Sequence, residues 1–404
     1  MHNAQCTMKM RNTCRGGILA TRAITSKALV SAFIALITIL LFAIPAAAQE
    51  NEAIQEPAAF KSQLEASGAQ GLVEALPEDA REALRALGVE GIDLYSLLGA
   101  SPRDIIALLF GMLQGGVGKV VRSGGMALGV VLLLSYAAAA MPEDEKIRHS
   151  LEVTGSMLAL IFLLPGLAAL MRAAGAVVHT GSNFALLLIP VLAGVITASG
   201  KPALALSYHS IAFAAAQGLS QLADGVIIPC TGVVLGLGLV DGAAKDARLS
   251  AVAGAVKKAV IGAFALLAGL FSALLSIKSL IANTADALVI RGMKVVAGSV
   301  PLVGGALSEA CGAILSSVSL VKGAVGGFAL LAALALYAPV LIELLLWSVL
   351  LKLLAAASEL FQQGKAAEVF KSAACAVAIL SACVVFNAAL LLISTGLVIT
   401  VGNG

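Results

Sequence analysis

Charged side chains are scarce in this chain. Asp, Glu, Lys and Arg make up 12% of its 404 residues, against about a quarter in a soluble globular protein. That shortage excludes an ordinary water-facing surface. The charges nearly cancel, leaving a formal +3 with the basic residues scattered, so nothing in the charge pattern asks for nucleic acid. Aromatic residues are only 4%, with a single tryptophan, Trp347, which leaves little material for the aromatic belts of membrane–water interfaces. No pair of the six cysteines has CxxC spacing. Its absence argues against a zinc ribbon or dithiol redox site and leaves Cys230, Cys311, Cys375 and Cys383 as small buried hydrophobes. His149, His179 and His209 share no metal-ligand spacing. No nucleophile, base and orienting group stand together in the sequence, so no enzyme class and no cofactor is indicated.

What the chain has in excess is apolar sequence, 60% of residues, arranged in runs that reach the ~18–20 residues needed to cross a bilayer. The fold class expected is all-α: a polytopic helical membrane protein with a signal peptide and a small exported helical N-terminal region. Arg11, Arg15, Arg22 and Lys27 form a basic leader. Ala28 to Ile44 is its apolar segment, and Ala46-Ala47-Ala48 before Gln49 has the small-residue form of a cleavage site. Residues 1–48 therefore read as a secretory signal peptide, the alternative being an uncleaved first span. Residues 49–103 are acidic, from Glu50 to Asp93. Pro77-Glu78-Asp79 marks a helix start there and Gly88 a stop. This exported region is too short to bury a large core alone, and serves either as a docking surface or as a lid packed on the membrane domain.

Residues 104–404 form the membrane domain. Segment 105–121 reads as interfacial or re-entrant. Spans are expected at 124–141, 151–171, 183–199, 203–223, 225–240, 259–277, 323–351 and 372–401, roughly eight in all. The lysine-bearing segments 241–258 and 352–371 fit the cytoplasmic side. Between the spans 259–277 and 323–351 lies a half-polar stretch, 278–322, rich in Gly and Ser. It is too polar for a simple span, and irregular backbone at membrane depth survives only under protein or water cover. The candidate functional residues are here and just beyond: Asp286, Arg291 and Lys294 at helical spacing, Pro301, Gly304 and Gly305 as a helix break or hairpin within the membrane, and Glu343, an acid inside the longest apolar run. A charge at that depth is costly. Glu343 is either an ion or proton site or half of a buried pair with Lys322 or Lys278.

Two glycine patterns carry no nucleotide. Gly115-Gly116-Val117-Gly118-Lys119 lacks both the earlier glycine and the Ser/Thr of a phosphate loop, and Gly236-Leu237-Gly238 lacks a third glycine. The small-xxx-small faces Gly232–Gly236 and Gly323–Gly327 allow close helix packing.

Three blocks make the chain resemble the stage III sporulation protein AE family: Asn183 to Leu192 with Gly200-Lys201-Pro202, the central run from Asp286 through Lys294 to Val300–Glu309, and Val321 to Gly326. The resemblance implies a component of the channel joining mother cell and forespore during endospore formation. It implies a place in the mother-cell membrane around the forespore, and partners that include an ATPase and ring-forming membrane subunits of the same complex. The alternative from a different class is an autonomous secondary transporter for a small solute or ion, which broken apolar segments and an intramembrane acid would suit.

Overall fold

A computed structural model describes residues 58–140, 145–243, 249–298 and 304–400, all within one compact unit, 44–404. The signal-peptide segment lies outside the described residues. Every described element is a helix.

Four short helices come first: α1 (Ala58–Ala66), α2 (Gly71–Glu74), α3 (Glu78–Ala86) and α4 (Leu94–Gly99). The expected boundaries of α3 have clear local causes. Pro77 takes the N-cap position, and Glu78 and Asp79 follow in the first turn, where acids complement the helix dipole. At the other end Gly88 adopts φ +77°. Its amide donates to the Arg85 carbonyl and that of Val89 to Leu84, the Schellman arrangement that uses the last orphan carbonyls. Val89 and Leu84 are both buried, so the same turn closes a small apolar core with Phe60, Leu72 and Leu76.

Six long helical stretches follow: α5 (Pro102–Ala139), α6 (Glu145–Ala198), α7 (Pro202–Leu222) joined through a π-helical turn, Ala223–Ile227, to α8 (Ile228–Ala243), α9 (Leu249–Gly298), α10 (Gly304–Leu360) and α11 (Gly364–Thr400). Each of the six contains an apolar segment long enough to cross a membrane. Segments that read as separate in the sequence are joined. Residues 105–121 and 124–141 share α5, and 151–171 and 183–199 share α6, which runs through Pro165 and Pro190. The physical reason is that glycine weakens a helix without ending it unless the backbone turns to positive φ. Scattered polar residues such as Arg172 and Ser182 interrupt hydropathy and not backbone hydrogen bonding. Residues 278–298 continue α9 and 304–322 begin α10, with 299–303 outside the described residues.

The polarity of the bundle follows from its contacts. Ser135 near the end of α5 donates to the Phe361 carbonyl just past α10. Ser156 near the start of α6 donates to the Gly242 carbonyl in α8, and a Cβ on Gly242 would meet Val369 of α11 at 2.6 Å. One end of the bundle therefore gathers the start of α6, the end of α8 and the lysine-bearing segment 352–371. At the opposite end Gly326 of α10 lies against Ile399 of α11. The N-terminal helices dock at that far end: α1, α3 and α4 pack on α10, and Ser317 Oγ donates to Gln63 Oε1 at 3.0 Å. Of the two roles expected for this region, the packed lid is the one its contacts match.

The core is α10 and α11. In each, 72% of the most apolar window is buried, against 17% in α9. Trp347 is no interfacial anchor, being buried against Gly166 of α6.

Candidate functional site

The residues singled out from sequence separate in the structure. Asp286, Arg291 and Lys294 lie on the helical backbone of α9, and Gly304 and Gly305 open α10. Their side-chain surroundings, and Pro301 altogether, lie outside the described residues. Glu343 is half-buried on α10. Lys322 cannot pair with it: both stand on α10, 21 positions apart and roughly 30 Å along the axis at 1.5 Å per residue. The Lys278 side chain is exposed. No salt bridge to Glu343 is made among the described residues.

The structure assembles two polar clusters that the sequence did not announce. The first is inside the core. Tyr337 Oη of α10 donates to Asn387 Oδ1 of α11 at 2.9 Å. Asn387 Nδ2 donates to the Val178 carbonyl of α6 at 2.8 Å and approaches Ser182 Oγ at 3.4 Å. One amide thus ties three helices together. Gly181 makes room for it, since a Cβ there would collide with the Tyr337 hydroxyl. Asn387 also borders a cavity of about 20 Å³ with Ile189, Ala212, Phe271 and Ser394, room for about one water molecule.

The second cluster sits on the outer face of the bundle. His179 Nε2 is 2.7 Å from Asp224 Oδ1, and Ser220 Oγ is 3.3 Å from His179 Nδ1. His179 comes from α6, Ser220 from α7 and Asp224 from the π turn. The wide turn adds a residue to the helix, a device common at functional sites, and here it carries the acid of the pair. The absence of a base and orienting group noted in the sequence is therefore corrected in space, because residues 41 and 45 positions apart converge. The trio has the composition of a nucleophile, base and acid. It does not provide an oxyanion hole: residues 202–243 are continuously helical, so their backbone N–H groups are committed to the helix, and acyl transfer needs free donors aimed at the developing charge. Among the described residues no group of three or more His, Cys, Asp or Glu converges. What each cluster can do is join helices or present polar atoms at membrane depth.

Comparison with known proteins gives the chain its relatives. A curated relative from Bacillus subtilis (strain 168), stage III sporulation protein AE, is 22% identical over 233 residues. The aligned part is 56% of this chain and 57% of that relative's length. No solved structure matches. The family model described as stage III sporulation protein AE matches residues 126–402, a region that holds the C-terminal part of α5, all of α6 to α11 and both polar clusters, and the chain belongs to that family.

Proposed function

We propose that the chain is an integral membrane component of the channel joining mother cell and forespore, working with an ATPase and ring-forming membrane subunits of the same sporulation complex. The observation that carries this reading is that the family match, 126–402, takes in five of the six apolar helical stretches whole and the end of the first. Its place is the mother-cell membrane around the forespore. The end that gathers Lys257, Lys258, Lys352, Lys365 and Lys371 faces the cytoplasm by the positive-inside rule. The lid of α1 to α4 and the C-terminus then face outward. In this reading the junction of α9 and α10, with Asp286, Arg291, Lys294, Pro301, Gly304 and Gly305, is the assembly element.

One observation favours the transporter reading: Glu343 stands in an apolar helix without a salt bridge among the described residues. Crosslinking and pull-down of the tagged chain from sporulating cells tests both. Recovery of the ATPase and ring subunits with wild type, and their loss with Gly304→Leu together with a stage III block, is the expected result. Purification of wild type alone, with solute or proton flux in vesicles that Glu343→Gln abolishes, would overturn the channel reading in favour of transport.

A further inference from the structure

The His179–Asp224 pair lies among helices apolar enough to cross a bilayer. Asp224 lies near the midpoint of the apolar stretch Pro202–Gly242, about 60 Å long and so about twice the hydrocarbon thickness. His179 adjoins Val178, whose carbonyl binds Asn387 in the interior of α11. Both depth markers put the pair away from either end of the bundle. Yet its side chains are 43% and 51% exposed.

The pair is also not isolated. Asn183 is exposed one turn along α6, and Gln217 and Gln221 are exposed on α7 at the helical spacing that leads to Asp224. The side chains of Asn183, Gln217 and Gln221 hydrogen-bond to no described residue. Hydrocarbon cannot satisfy these groups, and polar side chains within spans turn toward protein or water. The face needs a polar cover.

We infer that this cover is a second copy of the chain, related by a two-fold axis along the membrane normal. Copies inserted in one membrane share an orientation, so such an axis sets each residue opposite its own counterpart at the same depth. An amide suits that constraint because it donates and accepts at once: Gln217 meets Gln217 and Gln221 meets Gln221 without an unmatched group. The His179–Asp224 contact suits it as well, since each copy brings the two groups already hydrogen-bonded to each other. Gly218 and Gly225 beside the amides have no atom within 4 Å of an added Cβ, which lets two helices approach closely. The contact is a pairing of this chain with itself, beyond its place in any larger complex.

The test is disulfide trapping of the full chain in membranes of a host without the other sporulation proteins. The native cysteines are replaced by serine, and Gln217→Cys and Gln221→Cys are compared with Leu266→Cys on the exposed side of α9. A disulfide-linked dimer from the two glutamine positions, and a monomer from Leu266→Cys, is the expected pattern. Monomer at 217 and 221 overturns the inference. Labelling of those monomers by a water-soluble maleimide would mean a water-lined face, and lack of labelling would mean a lipid-facing surface or one covered by another protein. Should the serine background fail to fold, bleaching-step counting of the wild-type chain in nanodiscs decides: two copies per disc, reduced to one by Gln217→Leu with Gln221→Leu, supports the pairing, and one copy for wild type refutes it.

Discussion

At the residue scale, glycines separate those that admit a neighbour from those that merely sit in a helix. Gly181 and Gly194 are both interior to α6, but a Cβ on Gly181 meets the Tyr337 hydroxyl and one on Gly194 meets nothing. Gly181→Ala must displace Tyr337 and strain its bond to Asn387, at about 1–3 kcal/mol for an overpacked site. Gly194→Ala gains helix propensity, up to about 1 kcal/mol. Asn387→Ala removes the shared partner of Tyr337 and Val178, and with intramembrane hydrogen bonds near ~0.6–1.7 kcal/mol each it should cost about 2 kcal/mol. Unfolding titrations in mixed micelles should rank Gly181→Ala and Asn387→Ala well below Gly194→Ala. Equal stabilities would mean the amide does not hold the three helices. None of these roles was legible beforehand: a lone Asn in an apolar run and a glycine in a helix look alike wherever they fall.

At the element scale, two long helices end in the same way with different residues. Gly200 closes α6 at φ +80°, and Gln362 closes α10 at φ +57°. In both, the next amide reaches back to the last turn: Lys201 to Ile196, and Gln363 to Ser358. A Cβ in this conformation costs roughly 1 kcal/mol or more. Gln362→Gly should therefore stabilise by about 1 kcal/mol, and Gly200→Gln destabilise by a similar amount. Opposite shifts of the thermal midpoint check this; shifts of one sign would mean that α10 does not end in this turn in solution. The Gly200 turn was readable because glycine before Lys201-Pro202 is a stop signal. The Gln362 turn was less so, since the nearby glycine, Gly364, stands two residues past the position that takes positive φ.

At the scale of the whole molecule, the N-terminal helices pack on the bundle and should unfold with it. Phe60, Leu72 and Leu84 are almost wholly buried, and α1, α3 and α4 lie on α10, the most central helix with α11. Deleting 58–100 should expose the outer end of α10 and lower the melting midpoint of the bundle. Trp347 reports this cleanly, being the sole tryptophan and 2% exposed. An emission red shift at lower temperature in the truncated chain is expected; an unchanged transition would make the region a separable module.

Composition and hydropathy by themselves determined the class: a chain so poor in charge and so rich in long apolar runs suits hydrocarbon, and in hydrocarbon such runs take up helix because a helix satisfies its own backbone groups without water. The Pro77 start, the Gly88 stop and the family blocks were equally local, and so legible. Helix count and site were decided by tertiary structure. Whether Arg172, Ser182 or the glycines of α5 break a helix depends on the neighbours that pack over them. The meeting of Tyr337 with Asn387, and of His179 with Ser220 and Asp224, depends on helices far apart in sequence lying side by side, a distance that no local pattern encodes.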